Sequence, residues 1–230
     1  MRNFKFVFFI LLLSVLILPN QNAYAKSLKH EKWVFIGDSY AENGRPNHTI
    51  PILTAKISGL SRKHYSIQCC RGGQGLIGWK EGKAFSTRLI NQRKDTKVTK
   101  VIVIGGINND GEHSKETLQA AAIDFFKLVR EKYPKAKIYY TIPNWYANYN
   151  GSHRHSKEKA EKFQINRDRI TLRLKWYREF CRENNIIFLA KSTNALHQKN
   201  NTKFFVKDGH HPSIKGRRKV AKLLAKELKR

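Results

Sequence analysis

Acidic residues are scarce in this chain of 230: Asp and Glu number 17 against 45 Lys and Arg, for a formal charge of +28. Cysteine is scarce too. Three cysteines are too few to staple a disulfide-built miniprotein, and their spacing is not that of a zinc site. No internal repeat is visible, which excludes a solenoid or a propeller. No stretch rich in Pro, Gly or Ser reads as an interdomain linker, and the length suits one domain. What is present is enough to build a core. Hydrophobic residues make up 40% and aromatics 11%, so wholesale disorder is excluded despite the charge.

The N-terminus stands apart. Arg2 and Lys5 open it, an apolar run extends from Phe6 to Leu18, and Ala23-Tyr24-Ala25 supplies small residues at a cleavage position. These are the parts of a secretory signal. The run is short for a membrane span of about 20 residues. Residues 1–25 are therefore expected to be removed, leaving a domain over 26–230 that is secreted or associated with the cell envelope. Removal takes two cations with it and leaves +26 of the +28. No cysteine near the cleavage point supports a lipid anchor. A secreted protein this basic is expected to meet polyanions such as anionic wall polymers or a membrane surface. Apart from charge, no nucleic-acid-binding motif is present.

Five segments read as strands: the apolar run Trp33–Ile36 ending at Gly37, then Tyr65–Cys70, Lys100–Ile104, Lys137–Ile142 and Ile186–Leu189. Lys100–Ile104 is continuous and β-branched, as a parallel strand covered on both faces should be. Helical patterns lie between them at Ile50–Leu60, more weakly at Gly78–Asn91, at Ser114–Tyr133 and over a basic segment from about Ser156 to Asn184. A last helix begins near Ser213, with Val220, Leu224 and Leu228 at i, i+4, i+8. Alternating strands and helices imply parallel β-α-β units in a single α/β domain. Ligands of such sheets sit beyond the carboxyl ends of the strands.

Four loops at those ends carry chemically useful residues. Gly37-Asp38-Ser39 puts a serine on a sharp turn, where a neighbouring base would make it a nucleophile; taken alone it reads equally as a helix cap. Asp208-Gly209-His210-His211 places an aspartate three residues before a histidine, close enough to hold its imidazole in one tautomer. The paired histidines lack companions at metal-ligand spacing, so no metal is expected. Gly72-Gly73-Gln74-Gly75 offers backbone N–H groups that a ligand can approach closely. Gly73 to Gly78 matches G-x-G-x-x-G formally but follows the second strand and lacks the later acidic residue, so no nucleotide is expected. Gly105-Gly106-Ile107-Asn108-Asn109-Asp110 places an amide donor just past a buried strand.

These four blocks, in this order from 33 to 213, resemble the SGNH hydrolases, also called GDSL-type esterases. The resemblance implies a three-layer α/β/α, flavodoxin-like fold around five parallel strands. It implies Ser39 as nucleophile, His211 as general base and Asp208 as its orienting partner. The oxyanion donors would be the backbone N–H groups of Ser39 and Gly75 and the side-chain amide of Asn108, with Gly73 a rival to Gly75 and Asn109 a rival to Asn108. No cofactor is needed. The chain departs from the family's pattern in having Tyr40 where the namesake leucine stands, and Asn109 where Asp usually follows.

Trp79, Trp145 and Tyr146 fall near the same rim, where they either stack on sugar rings or pack locally. The expected substrate is an O-acyl ester, acetyl foremost, on a small molecule or a glycan. Lysophospholipid or short-chain lipid esters are the alternative, and a polyanion-binding module with a weak hydrolase site is a third. Cys69, Cys70 and Cys181 read as buried thiols, or as one bridge and one odd thiol. A monomer is expected.

Overall fold

The structure is a computed structural model that describes residue 28 and residues 30–42, 48–78, 81–109, 113–145, 147, 157–197 and 201–229. Residues 1–25, expected to be a secretory signal, lie outside these, as do Trp79 and Tyr146. The chain divides into two compact units, Met1–Glu31 and Lys32–Arg230. In the first, the Glu31 amide donates to the Leu28 carbonyl at 3.1 Å and closes a turn. Among the described residues, no helix is long and apolar enough to cross a membrane.

The second unit holds five parallel strands, β1 (Trp33–Gly37), β2 (Tyr65–Cys70), β3 (Lys100–Ile104), β4 (Lys137–Thr141) and β5 (Ile187–Phe188), in the order β2-β1-β3-β4-β5. All five predicted strands are present; the fifth is only two residues long. Every residue of β1 is buried, as are the last four of β3. Their unbroken apolar runs reflect burial on both faces of the sheet.

The helices are α1 (Ile50–Ile57), α2 (Phe85–Leu89), α3 (Lys115–Lys132), α4 (Lys157–Glu183), the short α5 (Ala190–Thr193) and α6 (Ile214–Glu227). Three have side-chain caps. Thr49 accepts from the Ile52 amide, Ser114 from Thr117 and Ser213 from Gly216. Each cap satisfies a donor that the first turn leaves unpaired. The sheet order reverses at β1. Right-handed crossovers therefore place α1 on one face and α2, α3 and α4 on the other. α6 packs on α1. On the opposite face, Phe125 stacks on Phe85, and Phe126 on Phe180.

Two features shape the ends of β1 and β2. A Cβ on Gly37 would fall 2.2 Å from the Ile104 carbonyl oxygen, so only glycine lets β1 end this close to β3. The β1–β2 register slips between Phe35 and Gly37. Cys69, opposite the slip, adopts φ 52°. A non-glycine residue rarely takes that conformation. The resulting bulge turns the end of β2 into the glycine loop.

Candidate active site

The crevice opens where the strand order reverses, between the carboxyl ends of β1 and β3. The turn after β1 is held from beneath. Asp38 is fully buried, its Oδ1 accepts from the Tyr40 amide at 3.0 Å, and its Oδ2 accepts from the Gly106 amide at 3.2 Å. One carboxyl thus ties the Ser39 turn to the loop after β3. A Cβ on Gly105 would lie 2.8 Å from Asp38 Oδ2, so glycine there makes room for the brace. Burial pushes the Asp38 carboxyl up to about 7, even though the two amides and the charge of His211 pull it down.

A second loop, ahead of α6, brings the imidazole. Asp208 Oδ1 accepts from the amides of His210 and His211, both at 2.8 Å. Its Oδ2 lies 2.8 Å from His211 Nδ1. The other ring nitrogen, Nε2, lies 3.0 Å from Ser39 Oγ. Serine, histidine and aspartate therefore form one continuous hydrogen-bonded chain, although 172 positions separate Ser39 from His211. Burial raises the Asp208 carboxyl, but the His211 side-chain bond, the two amides and the His211 charge outweigh it. The group is held well below the usual carboxylate range.

Tyr40 locks the two loops together. Its hydroxyl donates to the His210 carbonyl at 3.1 Å. Its ring centroid lies 5.6 Å from that of His211 and 5.4 Å from that of Trp145. In the sequence Tyr40 stands out only as a departure from leucine. Its partner lies 170 positions away, and no local pattern announces it.

The glycine loop requires a correction. The Gly75 amide already donates to the Lys83 carbonyl at 3.2 Å, and the Gly75 carbonyl accepts from Phe85 at 2.7 Å. The expected oxyanion donor is thus engaged in a bridge to the segment before α2. Among the described residues, the amides of Gly72 and Gly73 make no such bond. Gly72 faces the serine: a Cβ there would lie 3.8 Å from Ser39 Cβ and 3.7 Å from Glu42 Oε2. Asn108 reaches the same loop, its Nδ2 donating to the Gln74 carbonyl at 2.8 Å and leaving its second N–H uncommitted by that bond. The Asn109 side chain lies outside the described residues.

Trp145 is also corrected. It is fully buried, and its indole N–H donates to the Ser192 carbonyl at 3.0 Å. It supports Tyr40 from behind and presents no face to a ligand. The three cysteines are free thiols, and burial pushes Cys69 up to about 11 and Cys181 up to about 12.

A pocket of about 330 Å³ opens beside Ser39 and His211. Its further walls include Glu42, Thr49, Val206 and Arg217, none of them singled out by the sequence. Arg217 donates to the His48 carbonyl at 3.5 Å. Glu42 was findable as a rare acid three residues past Ser39. Arg217 is one cation among 45. No group of three His, Cys, Asp or Glu stands together as a metal site among the described residues.

The fold is a three-layer α/β/α architecture like that of solved SGNH hydrolases. It is shared with a lipase/acylhydrolase from Enterococcus faecalis at TM-score 0.59 and 16% identity, over 86% of this chain and 95% of that one. A family two carbohydrate esterase from Clostridium thermocellum, in complex with cellohexaose, matches at TM-score 0.54 and 17% identity, over 86% and 63%. A protein from Slackia heliotrinireducens described as an SGNH hydrolase matches at TM-score 0.56 and 15% identity, over 86% and 98%. No protein-family model matches the chain, and no curated protein matches it by sequence.

Proposed function

We propose that the protein is an SGNH-type serine ester hydrolase. The observation that carries this reading is the Ser39–His211–Asp208 chain, with contacts of 3.0 and 2.8 Å at the mouth of a pocket. Ser39 Oγ attacks the ester carbonyl while His211 Nε2 takes its proton. Asp208, ionised throughout the neutral range, stabilises the imidazolium. The oxyanion is met by the Ser39 amide, by Gly72 in place of Gly75, and by the second N–H of Asn108. His211 then gives its proton to the leaving alkoxide. Water, deprotonated by His211 in its turn, cleaves the acyl-enzyme and regenerates Ser39.

The substrate is a short O-acyl ester, acetyl foremost, on a hydroxyl-rich alcohol such as a glycan. The support is the pocket wall. A carboxylate and a guanidinium make a poor lining for a long alkyl chain, which cannot satisfy either. The kinship of fold with a carbohydrate esterase points the same way. The fold shared with a lipase/acylhydrolase keeps short-chain lipid esters as the second reading. Residues 1–25 direct the protein out of the cell, where such esters are met.

The test is hydrolysis of p-nitrophenyl acetate, butyrate and octanoate by residues 26–230, beside Ser39→Ala. Acetate preferred over octanoate, with turnover abolished in the variant, is the expected result. Octanoate preferred would favour lipid esters. Turnover kept by Ser39→Ala would remove the serine mechanism.

A further inference from the structure

The pocket reverses the charge of the protein that holds it. Lys and Arg outnumber Asp and Glu by 45 to 17 over the chain. The pocket wall instead carries two acids, Glu42 and Asp208, and one such cation, Arg217. Asp208 is committed to the His210-His211 turn through both of its oxygens. Glu42 is exposed at the mouth, and among the described residues no hydrogen bond or ion pair reaches its carboxylate. Arg217 does not neutralise it, and donates to the His48 carbonyl.

What sets Glu42 apart from other surface acids is where it stands. A Cβ on Gly72 would meet Glu42 Oε2 at 3.7 Å and Ser39 Cβ at 3.8 Å. Carboxylate, nucleophile and the glycine assigned to the oxyanion thus share one corner of the pocket. When Ser39 attacks, a second negative charge forms on the carbonyl oxygen in that corner. A carboxylate beside it opposes the step. For a neutral ester Glu42 is therefore a handicap. For an ester with a positive charge near its carbonyl, Glu42 binds the substrate, and the bound cation offsets the repulsion. The wider basic surface interferes little, because salt screens it beyond about 8 Å.

We propose that Glu42 is a specificity residue that selects short esters carrying an ammonium group within a few bonds of the ester carbonyl. This rests on the esterase reading and narrows its substrate. The ammonium belongs to the acyl group, as in an aminoacyl ester, or to the alcohol, as in an amino sugar or an amino alcohol. The carboxylate recognises both by the same charge. Two other partners fit less well. A hydroxyl can donate a hydrogen bond to Glu42 but leaves its charge in place beside the oxyanion. A metal ion needs more donors than one carboxylate, and among the described residues no three His, Cys, Asp or Glu stand together.

The test compares kcat/KM on two pairs of esters matched in shape and different in charge, read by acid release at constant neutral pH. Acetylcholine against 3,3-dimethylbutyl acetate places the cation on the alcohol. Alanine methyl ester against methyl isobutyrate places it on the acyl group. The parent protein should prefer the charged member of at least one pair, and which pair responds shows where the ammonium lies. Glu42→Gln keeps the shape of the side chain and removes its charge. It should cut that preference about fivefold or more, losing on the charged ester and gaining on its neutral twin. The gain is the discriminating readout, because structural damage to the serine turn lowers both. Preference for the neutral member of both pairs, or equal losses on both members in Glu42→Gln, would overturn the assignment. So would cleavage of the anionic 3-acetoxypropanoate ahead of both cationic esters, which would give the pocket to Arg217. If no ester is cleaved, calorimetry of the two cationic esters on the protein with and without Glu42→Gln decides. Binding lost in the variant would leave the ammonium site standing and remove the esterase reading. No binding would remove both.

Discussion

Two aspartates hold the two loops of this site, and they are tuned in opposite directions. Asp38 and Asp208 each accept two hydrogen bonds from backbone amides. Asp38 lies wholly out of water and is pushed up to about 7, whereas Asp208 is only half buried, bonds the His211 ring and is held well below its ordinary range. The contrast shows that amide donors alone do not decide the charge of a carboxylate. Desolvation dominates at Asp38, whereas at the wetter Asp208 the hydrogen bond to the His211 ring, added to the two amides, outweighs it. Asp38 is a brace for the serine turn, and Asp208 is the ionised partner of the imidazole.

The comparison breaks first at Asp208. Asp208→Asn keeps an acceptor for the two amides but removes the charge opposite His211. It should lower kcat on p-nitrophenyl acetate by about 10³- to 10⁴-fold, with the thermal midpoint nearly unchanged. Asp38→Ala should do the reverse in kind. Leaving the Tyr40 and Gly106 amides buried without an acceptor should cost about 2–5 kcal/mol, read by denaturant unfolding.

A subtler separation comes from pH. A carboxyl raised from 3.8 to about 7 on folding favours the native state below about pH 4. That contribution is lost as pH rises through 7. The difference in thermal midpoint between Asp38→Asn and the parent should therefore move in favour of the variant between pH 4 and pH 8. A difference that stays flat would mean that Asp38 is ionised in the native state at low pH. The smallest effect is expected at the clasp between the loops. Tyr40→Phe removes the bond to the His210 carbonyl, worth about 1 kcal/mol. It should lower kcat several-fold, leave KM little changed, and be milder than Tyr40→Leu, which also removes the ring packed on His211 and Trp145.

β1 and β3 were legible because each is an unbroken apolar run ended by a glycine. Ser39, Asp208 and His211 were legible because short turns place them, three residues being enough for Asp208 to reach His211. Other features of the site depend on distant partners. Which glycine faces Ser39 follows from the bulge at Cys69, a cysteine at positive φ that no propensity foretells. Trp145 is drawn into the core by the Ser192 carbonyl, 47 positions away. Glu42 and Arg217 become pocket walls only once α6 lies against α1.

The most direct test of the central claim is covalent trapping. The protein would be incubated with a fluorophosphonate, digested, and the adduct located by mass spectrometry. If Ser39 is a nucleophile activated by His211 and Asp208, the label falls on Ser39 and is much slower to form in Asp208→Asn. Labelling of another residue, or none at Ser39 in a folded parent protein, would contradict it.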